Sequence, residues 1–487
     1  MTDHPVKKIS LDQIARAAMA ENGLEADFST DALKQLDAIQ GPATDDSLPD
    51  LTALLWCSID NDDSRDLDQL SVGEKLPDGK IKVYVAVADV DAKVPQGTPL
   101  DLHARKNTTS IYTGVETFPM LPEKLSTDLT SLSFNEPRIA LVIEMRVGVD
   151  GQMEDYKIYR ARVKNKAKLA YNGVGAWLEG RGALPEAAAK VPGMEAQLKL
   201  QDEAAQKMRA LRHEHGALDL QTLQPRPVTD KGVVVDLALE TQNRAGQLIE
   251  DFMVAANGAT ARFLTAQKFP TIRRVVKTPK RWDRMVAVAA GLNEKLPAEP
   301  DSKALSDFLT RQRQKDPLHF PDLSLTIVKL MGRGEYALDR PDQTPLGHFG
   351  LAVRDYNHST APNRRYPDLI TQRLLKAVLL KKEVPYSLSD LSSLASHCTD
   401  QENAADKVER QVRKSASASF LSGRVGEHFD ALVTGMSDKG TWIRLLKPPV
   451  EGKLVQGAQG LDVGDTIRVK LISVNIERGW IDFVKTS

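Results

Sequence analysis

The chain has 487 residues, with 65 Lys and Arg against 66 Asp and Glu and a formal net charge of −1. Hydrophobic residues make up 41% and charged residues 27%, the mix of a folded chain of roughly two to four domains; no stretch is apolar enough to span a membrane. Two cysteines, Cys57 and Cys398, exclude a disulfide framework and a four-cysteine zinc site, bulk charge argues neither for nor against a polyanionic partner, so any nucleic-acid surface is local, and a soluble cytoplasmic protein is the expectation.

Residues 1–50 predict a small helical module. LDQIARAAMAENGL has helical apolar spacing, with Ser10 as N-cap and Gly23 as stop. FSTDALKQLDAI predicts a second short helix, and the pair reads equally as a helix-turn-helix-like unit or a plain hairpin. GPATDDSLPD predicts a linker. Residues 51–170 favour strands, with LLWCSI, KVYVAVADV and IALVIEMRV the clearest. Helices are predicted over 195–215 and 243–268, after RRYPD through LITQRLLKAVLL, and over DQENAADKVERQVRKSASASFL. The last sixty or so residues change to short strands broken by Gly and Asp, which predicts a small barrel.

The densest chemistry lies in SIDNDDSRDLDQL, residues 58–70. An Asp-rich surface loop is one reading. A calcium EF-hand fails on spacing, because Arg65 stands at the glycine position and Ser71 at the terminal glutamate. The third reading is a site for hard divalent cations: Asp60 closes an apolar strand, and Asp66 and Asp68, two apart, share one face of an extended segment. Clustered carboxylates repel one another unless a cation neutralises them.

Asp60, Asp66 and Asp68 within this stretch resemble the catalytic signature of the ribonuclease II/R (RNB) family of exoribonucleases. KVYVAVADV, SIYTGVETFPMLPEKLSTDLTSL, LIEDFMVAAN and HFGLAVRDYNHSTAPNRRYPDLITQRLL resemble further family segments, in the family's order. The resemblance implies an α+β multidomain chain: a helical N-terminal module (1–50), a central mixed RNB catalytic domain of sheet surrounded by helices (51–425), and a C-terminal S-one-type OB-fold barrel (426–487). It implies hydrolysis of single-stranded RNA from the 3′ end to nucleoside 5′-monophosphates, with Mg²⁺, or Mn²⁺ as substitute, held by Asp60, Asp66 and Asp68. The expected partner is the 3′ end of single-stranded RNA, with structured RNA bearing a 3′ overhang a further candidate, and the expected state is a monomer.

Two departures stand out. The family signature usually ends in two adjacent acids, and here the second is Gln69, whose amide offers one neutral oxygen to a metal. Asp89 is a candidate substitute, or equally a structural anchor. The family also often begins with two cold-shock folds, and residues 1–50 cannot hold even one.

Arg364 matches the motif's catalytic arginine, a clamp for the scissile phosphate; Arg365 beside it is a candidate RNA contact. The plain alternative for both is an ion pair at a helix start. His358 reads as a structural histidine. Tyr112 matches the family's terminal-base stacking aromatic, against a half-buried strand tyrosine. Its family partner falls near Arg273, whose guanidinium could stack instead. Arg273, Arg274, Lys277, Lys280 and Arg281 read either as a solvated face or as the lining of a strand-tracking channel. Glu409 is a candidate for fixing the 3′ nucleotide, with an exposed Glu409–Arg410 pair as the plainer reading. Trp442 could stack a base or fill the barrel core. The alternative function is a catalytically weak or inactive RNA-binding protein on the same scaffold, kept open by Gln69. A nuclease acting on DNA is a third reading.

Overall fold

The computed structural model describes residues 10–221, 225–230, 233–239, 242–344, 346–438 and 440–486. Helix α1 (Leu11–Glu21) opens with a capping box in which Ser10 and Gln13 satisfy each other's backbone amides. Helix α2 (Thr30–Ala38) is capped by Ser29. Strands β1 (Cys57–Asp60), β2 (Gln69–Lys75) and β3 (Ile81–Ala88) follow. The LLWCSI run becomes strand only from Cys57, because a turn precedes it in which the Trp56 indole donates to the Leu51 carbonyl at 2.9 Å.

Helix α3 (Pro99–Asn107) interrupts the strand-rich region, with proline in its first turn. A two-pair hairpin of β4 (Ile111–Tyr112) and β5 (Thr117–Phe118) comes next, turning at Gly114, whose φ of +81° suits glycine. Long strands β6 (Pro137–Val147) and β7 (Met153–Lys164) and short β8 (Ala167–Ala170) complete a six-stranded sheet. Its order is β7-β6-β3-β2-β1-β8. Every pairing is antiparallel except β1 with β8, so the sheet is mixed.

Helices α4 (Tyr171–Leu178), α5 (Glu186–Ala189), α6 (Met194–Glu214) and α7 (Arg244–Ala266) come next, with the ribbon β9 (Pro225–Asp230) and β10 (Val233–Leu239) between the last two. Both α6 and α7 pack on the sheet. A second ribbon, β11 (Thr271–Val275) with β12 (Glu335–Asp339), brackets a small helical lobe: α8 (Trp282–Gly291), α9 (Ser302–Lys315) and α10 (Phe320–Met331). That lobe has its own apolar core around Phe308 and Phe320.

Helix α11 (Tyr366–Leu379) starts where the RRYPD motif predicts, with almost every residue buried. Helix α12 (Leu388–Leu421) runs 34 residues, beginning well before the predicted segment because Ser387 and Asp390 form a capping box there. The chain ends in a closed barrel of β13 (His428–Ser437), β14 (Gly440–Leu445), β15 (Glu451–Gln456), β16 (Thr466–Asn475) and β17 (Trp480–Lys485), ordered β13-β14-β15-β17-β16. Phe429, Val433, Leu471 and Phe483 fill it. Helix α1 packs on α12 and α2 on α3, so each N-terminal helix is bound to the body of the molecule.

Candidate active site

Sheet ends and one loop gather the acids. Strand β1 pairs with β8 up to Asp60 opposite Ala170. There one Asp60 carboxylate oxygen accepts the Asn61 amide at 2.8 Å and the Ser64 hydroxyl at 3.1 Å. The loop returns to β2 through Leu67, which is buried between Asp66 and Asp68. Buried Ser131 fixes this return, accepting the Leu67 amide at 3.0 Å and donating to the Arg65 carbonyl at 3.1 Å.

Asp68 is only 2% exposed. Its Oδ1 accepts the Asn363 amide at 2.9 Å. Its Oδ2 is buried without a hydrogen-bond partner and lies 3.5 Å from Arg364 Nε. Burial pushes the Asp68 carboxyl up to about 7, with Arg364 opposing the rise and Asp66 adding to it. Burial raises Asp60 as well, again against the pull of Arg364. The half-exposed Arg364 guanidinium therefore acts on two of the three acids at once.

Tyr112 stands at the rim, 44% exposed. Its hydroxyl donates to Asp66 Oδ2 at 3.0 Å, and its amide donates to Glu409 Oε1 at 3.0 Å. Tyr171, at the start of α4, also feels Asp60 and Arg364.

These donors suit a hard divalent cation: three carboxylates, one bearing a buried oxygen with no hydrogen bond, and the Gln69 amide at the start of β2. Among the described residues no three Asp, Glu, His or Cys side chains close on a single point.

The model of the RNB domain matches residues 49–381 of the sequence. This chain belongs to the RNB family. The model of the RNase II-type exonuclease C-terminal S1 domain matches residues 427–486, the barrel. The chain is similar to ribonuclease R of Aquifex aeolicus, at 29% identity over 98% of this chain and 70% of that one. It is similar to ribonuclease R of Escherichia coli, also at 29%, over 89% of this chain and 57% of that one. It thus spans little more than half the length of the latter.

Solved structures share the fold. Mycoplasma genitalium RNase R in complex with ribose methylated single-stranded RNA superposes with a TM-score of 0.88 at 23% identity, covering 98% of this chain and 78% of that one. Yeast Ssd1, described as a pseudonuclease, does so at 0.71 and 15% identity, covering 91% and 55%.

Within this RNB fold several residues singled out from sequence lie away from the acids. Arg273 is 1% exposed and locked between Asp339 at 2.7 Å and Asp355 at 2.8 Å, with Thr265 accepting a third bond at 2.9 Å. It has no open face for a base. The basic run is no continuous lining either: Arg274 pairs with Glu402 and lies over the Tyr336 ring, and Lys277 pairs with Glu335.

Arg365 pairs with Asp368 at 2.7 Å, an ion pair at the start of α11. His358 is buried against the Tyr336 hydroxyl at 2.8 Å, a structural histidine. Asp89 is a structural anchor held by Arg160 at 2.9 Å and Lys376 at 2.8 Å, and is no substitute for the missing acid. Glu409 is half-buried and supports the Tyr112 backbone instead of pairing with Arg410. Trp442 is 36% exposed on β14, outside the barrel core. On β17, Trp480 is also exposed and lies 4.7 Å from the Arg478 guanidinium.

Asn363, Thr130 and Ser131 were not visible as site residues in the sequence. Asn363 is fully buried, and its side-chain oxygen accepts the Thr130 hydroxyl at 2.6 Å. Asn363 reaches Asp68 through its main-chain amide, and the Ser131 and Thr130 hydroxyls hold the loop and Asn363 instead of touching an acid, so residue type alone does not mark them.

Proposed function

We propose that this chain is a divalent-metal-dependent 3′-to-5′ exoribonuclease that hydrolyses single-stranded RNA to nucleoside 5′-monophosphates. One observation carries the reading: the half-exposed guanidinium of Arg364, remote from the acids in sequence, stands 3.5 Å from Asp68 and acts on Asp60 as well, and Asp68 keeps a buried oxygen with no hydrogen bond. Membership of the RNB family supports it, as does the likeness to ribonuclease R.

Asp60, Asp66, Asp68 and Gln69 would hold Mg²⁺ or Mn²⁺, which when bound would activate water and stabilise charge on the phosphate and leaving oxygens. Arg364 supplies positive charge to the scissile phosphate, as a fixed guanidinium clamp does. The Tyr112 ring, open at the rim, stacks a base near the 3′ end. Glu409 fixes the strand that carries Tyr112, and Trp442 and Trp480 offer stacking faces on the barrel. We read the chain as three units, 1–50, 51–425 and 426–487, with the barrel as an RNA-binding end.

An inactive RNA-binding protein is the second reading, favoured by Gln69 in place of an acid and by the same fold in a pseudonuclease. The deciding experiment incubates 5′-labelled single-stranded RNA with the protein and Mg²⁺. A ladder shortening from the 3′ end with mononucleotide release is the expected result. Tight binding of RNA that stays intact would establish the second reading instead.

A further inference from the structure

Helix α1 has no part in the chemistry proposed above, yet it packs on the hairpin that carries Tyr112. Ala18 and Met19 share one apolar cluster with Ile111 and Phe118 of the hairpin and Val408 and Val412 of α12. Arg16 lies across the edge of this cluster. It reaches Asp27 at 3.0 Å and Glu116 at 2.6 Å, and its guanidinium sits 5.7 Å from the centre of the Phe118 ring. Glu116 directly precedes β5, where Thr117 pairs with Tyr112. Glu409 of α12 accepts the Tyr112 amide.

A hairpin of two residue pairs does not hold its own position, so the elements it packs on decide where its side chains stand. Exposed ion pairs are individually weak. Arg16 differs from a lone pair because it joins two acids and a ring, and because its partner lies on a hairpin with little support of its own.

We infer that Arg16 is a positioning residue. Through Glu116 and Phe118 it sets how far the Tyr112 ring stands from Asp66, and so how short an RNA product can become before it is released. The N-terminal helices thereby act as a brace for the base-stacking side chain. This inference rests on the exoribonuclease reading.

The test compares Arg16→Glu, Glu116→Arg and the double variant in the full chain, reading final product length, kcat and KM on 5′-labelled RNA. Each single variant is expected to leave longer final products. Each should also lower kcat/KM on oligomers near the limit length by up to about fivefold, the scale of one exposed pair. The initial rate on long RNA should hold. The double variant, with the Arg16–Glu116 pair reversed and Asp27 left without its cation, should give shorter products than either single. Met19→Ala, which loosens the same contact without touching charge, should also lengthen them. Unchanged products from the singles and from Met19→Ala, or a double variant no better than the worse single, would overturn the inference.

A second measurement needs no turnover. In an Asp68→Asn background, RNA ending in 3′-terminal 2-aminopurine should be quenched on binding, less in each single variant, and more in the double than in either single. Intact RNA with the wild-type protein would defeat the exoribonuclease reading alone, and the quenching would still decide the brace.

Discussion

The Oδ1 atom of Asp68 accepts the backbone amide of Asn363 at 2.9 Å, while its other oxygen faces the guanidinium of the next residue, Arg364, at 3.5 Å. Two neighbouring residues of the second motif thus grip both oxygens of one acid from the first. The Thr130 hydroxyl, 2.6 Å from the Asn363 side chain, fixes the grip from a third segment. Thr130→Val keeps the volume and removes this bond. It is expected to lower kcat at least about fivefold, the low end of the about 1–3 kcal/mol for a buried polar group left unpaired, with KM for RNA little changed. Steady-state kinetics check it, and a fall in affinity with kcat intact would contradict it.

Asp68→Asn should abolish most turnover while RNA affinity stays close to wild type, because the stacking and phosphate contacts are elsewhere. Filter binding beside a degradation assay separates the two quantities. The same variant carries a stability signature. The Asp68 carboxyl is raised to about 7 in the fold, against about 3.9 in an unfolded chain. The folded state therefore binds its proton more tightly, and stability from this group is present in acid and lost as pH rises through about 7. With a chelator present, the melting temperature of Asp68→Asn should gain on wild type from about pH 4 to about pH 8. A constant difference would show that Asp68 ionises normally.

Binding of a divalent cation needs the carboxylate form. The Mg²⁺ concentration giving half-maximal activity should therefore fall as pH rises from about 6 to about 8. A requirement independent of pH in that range would detach Asp68 from the metal.

Tyr112 has two functions that substitutions can separate. Tyr112→Phe keeps the ring and loses the bond to Asp66, so product length should stay short while kcat falls. Tyr112→Ala loses both, and the final product should lengthen as a stack worth about 1–3 kcal/mol disappears. Gel analysis of limit products distinguishes the cases; identical products from both variants would remove stacking from the account.

Arg273 is expected to matter for folding and not for RNA. Arg273→Ala leaves Asp339 and Asp355 without their partner inside the protein, a loss on the order of 3–5 kcal/mol. Thermal unfolding should show the drop, with RNA affinity per folded molecule unchanged.

That Tyr112 would meet Asp66 and Arg364 would meet Asp68 was legible because each lies within a motif and makes the contact with its side chain. The barrel and the long helices were legible because Gly-punctuated alternation and helical periodicity extend over whole elements. Arg273 misled because an exposed and a buried arginine look alike in one dimension; only Asp339 and Asp355, far along the chain, decide between them. Asp89 was ambiguous for the same reason until Arg160 and Lys376 closed on it. Helix α3 was hidden because it is short and lies between runs that read as strands, although Pro99 marked its first turn. The start of α12 was placed too late because its capping residue, Ser387, lies within a polar stretch.

Helix α12 runs unbroken for 34 residues, a rod about 50 Å long. It touches β12, the β4 strand of the Tyr112 hairpin, helix α1 and the last two barrel strands. One unbroken element thus lies against the barrel at its far end and against the tyrosine hairpin nearer its middle, with no loop between the two contacts.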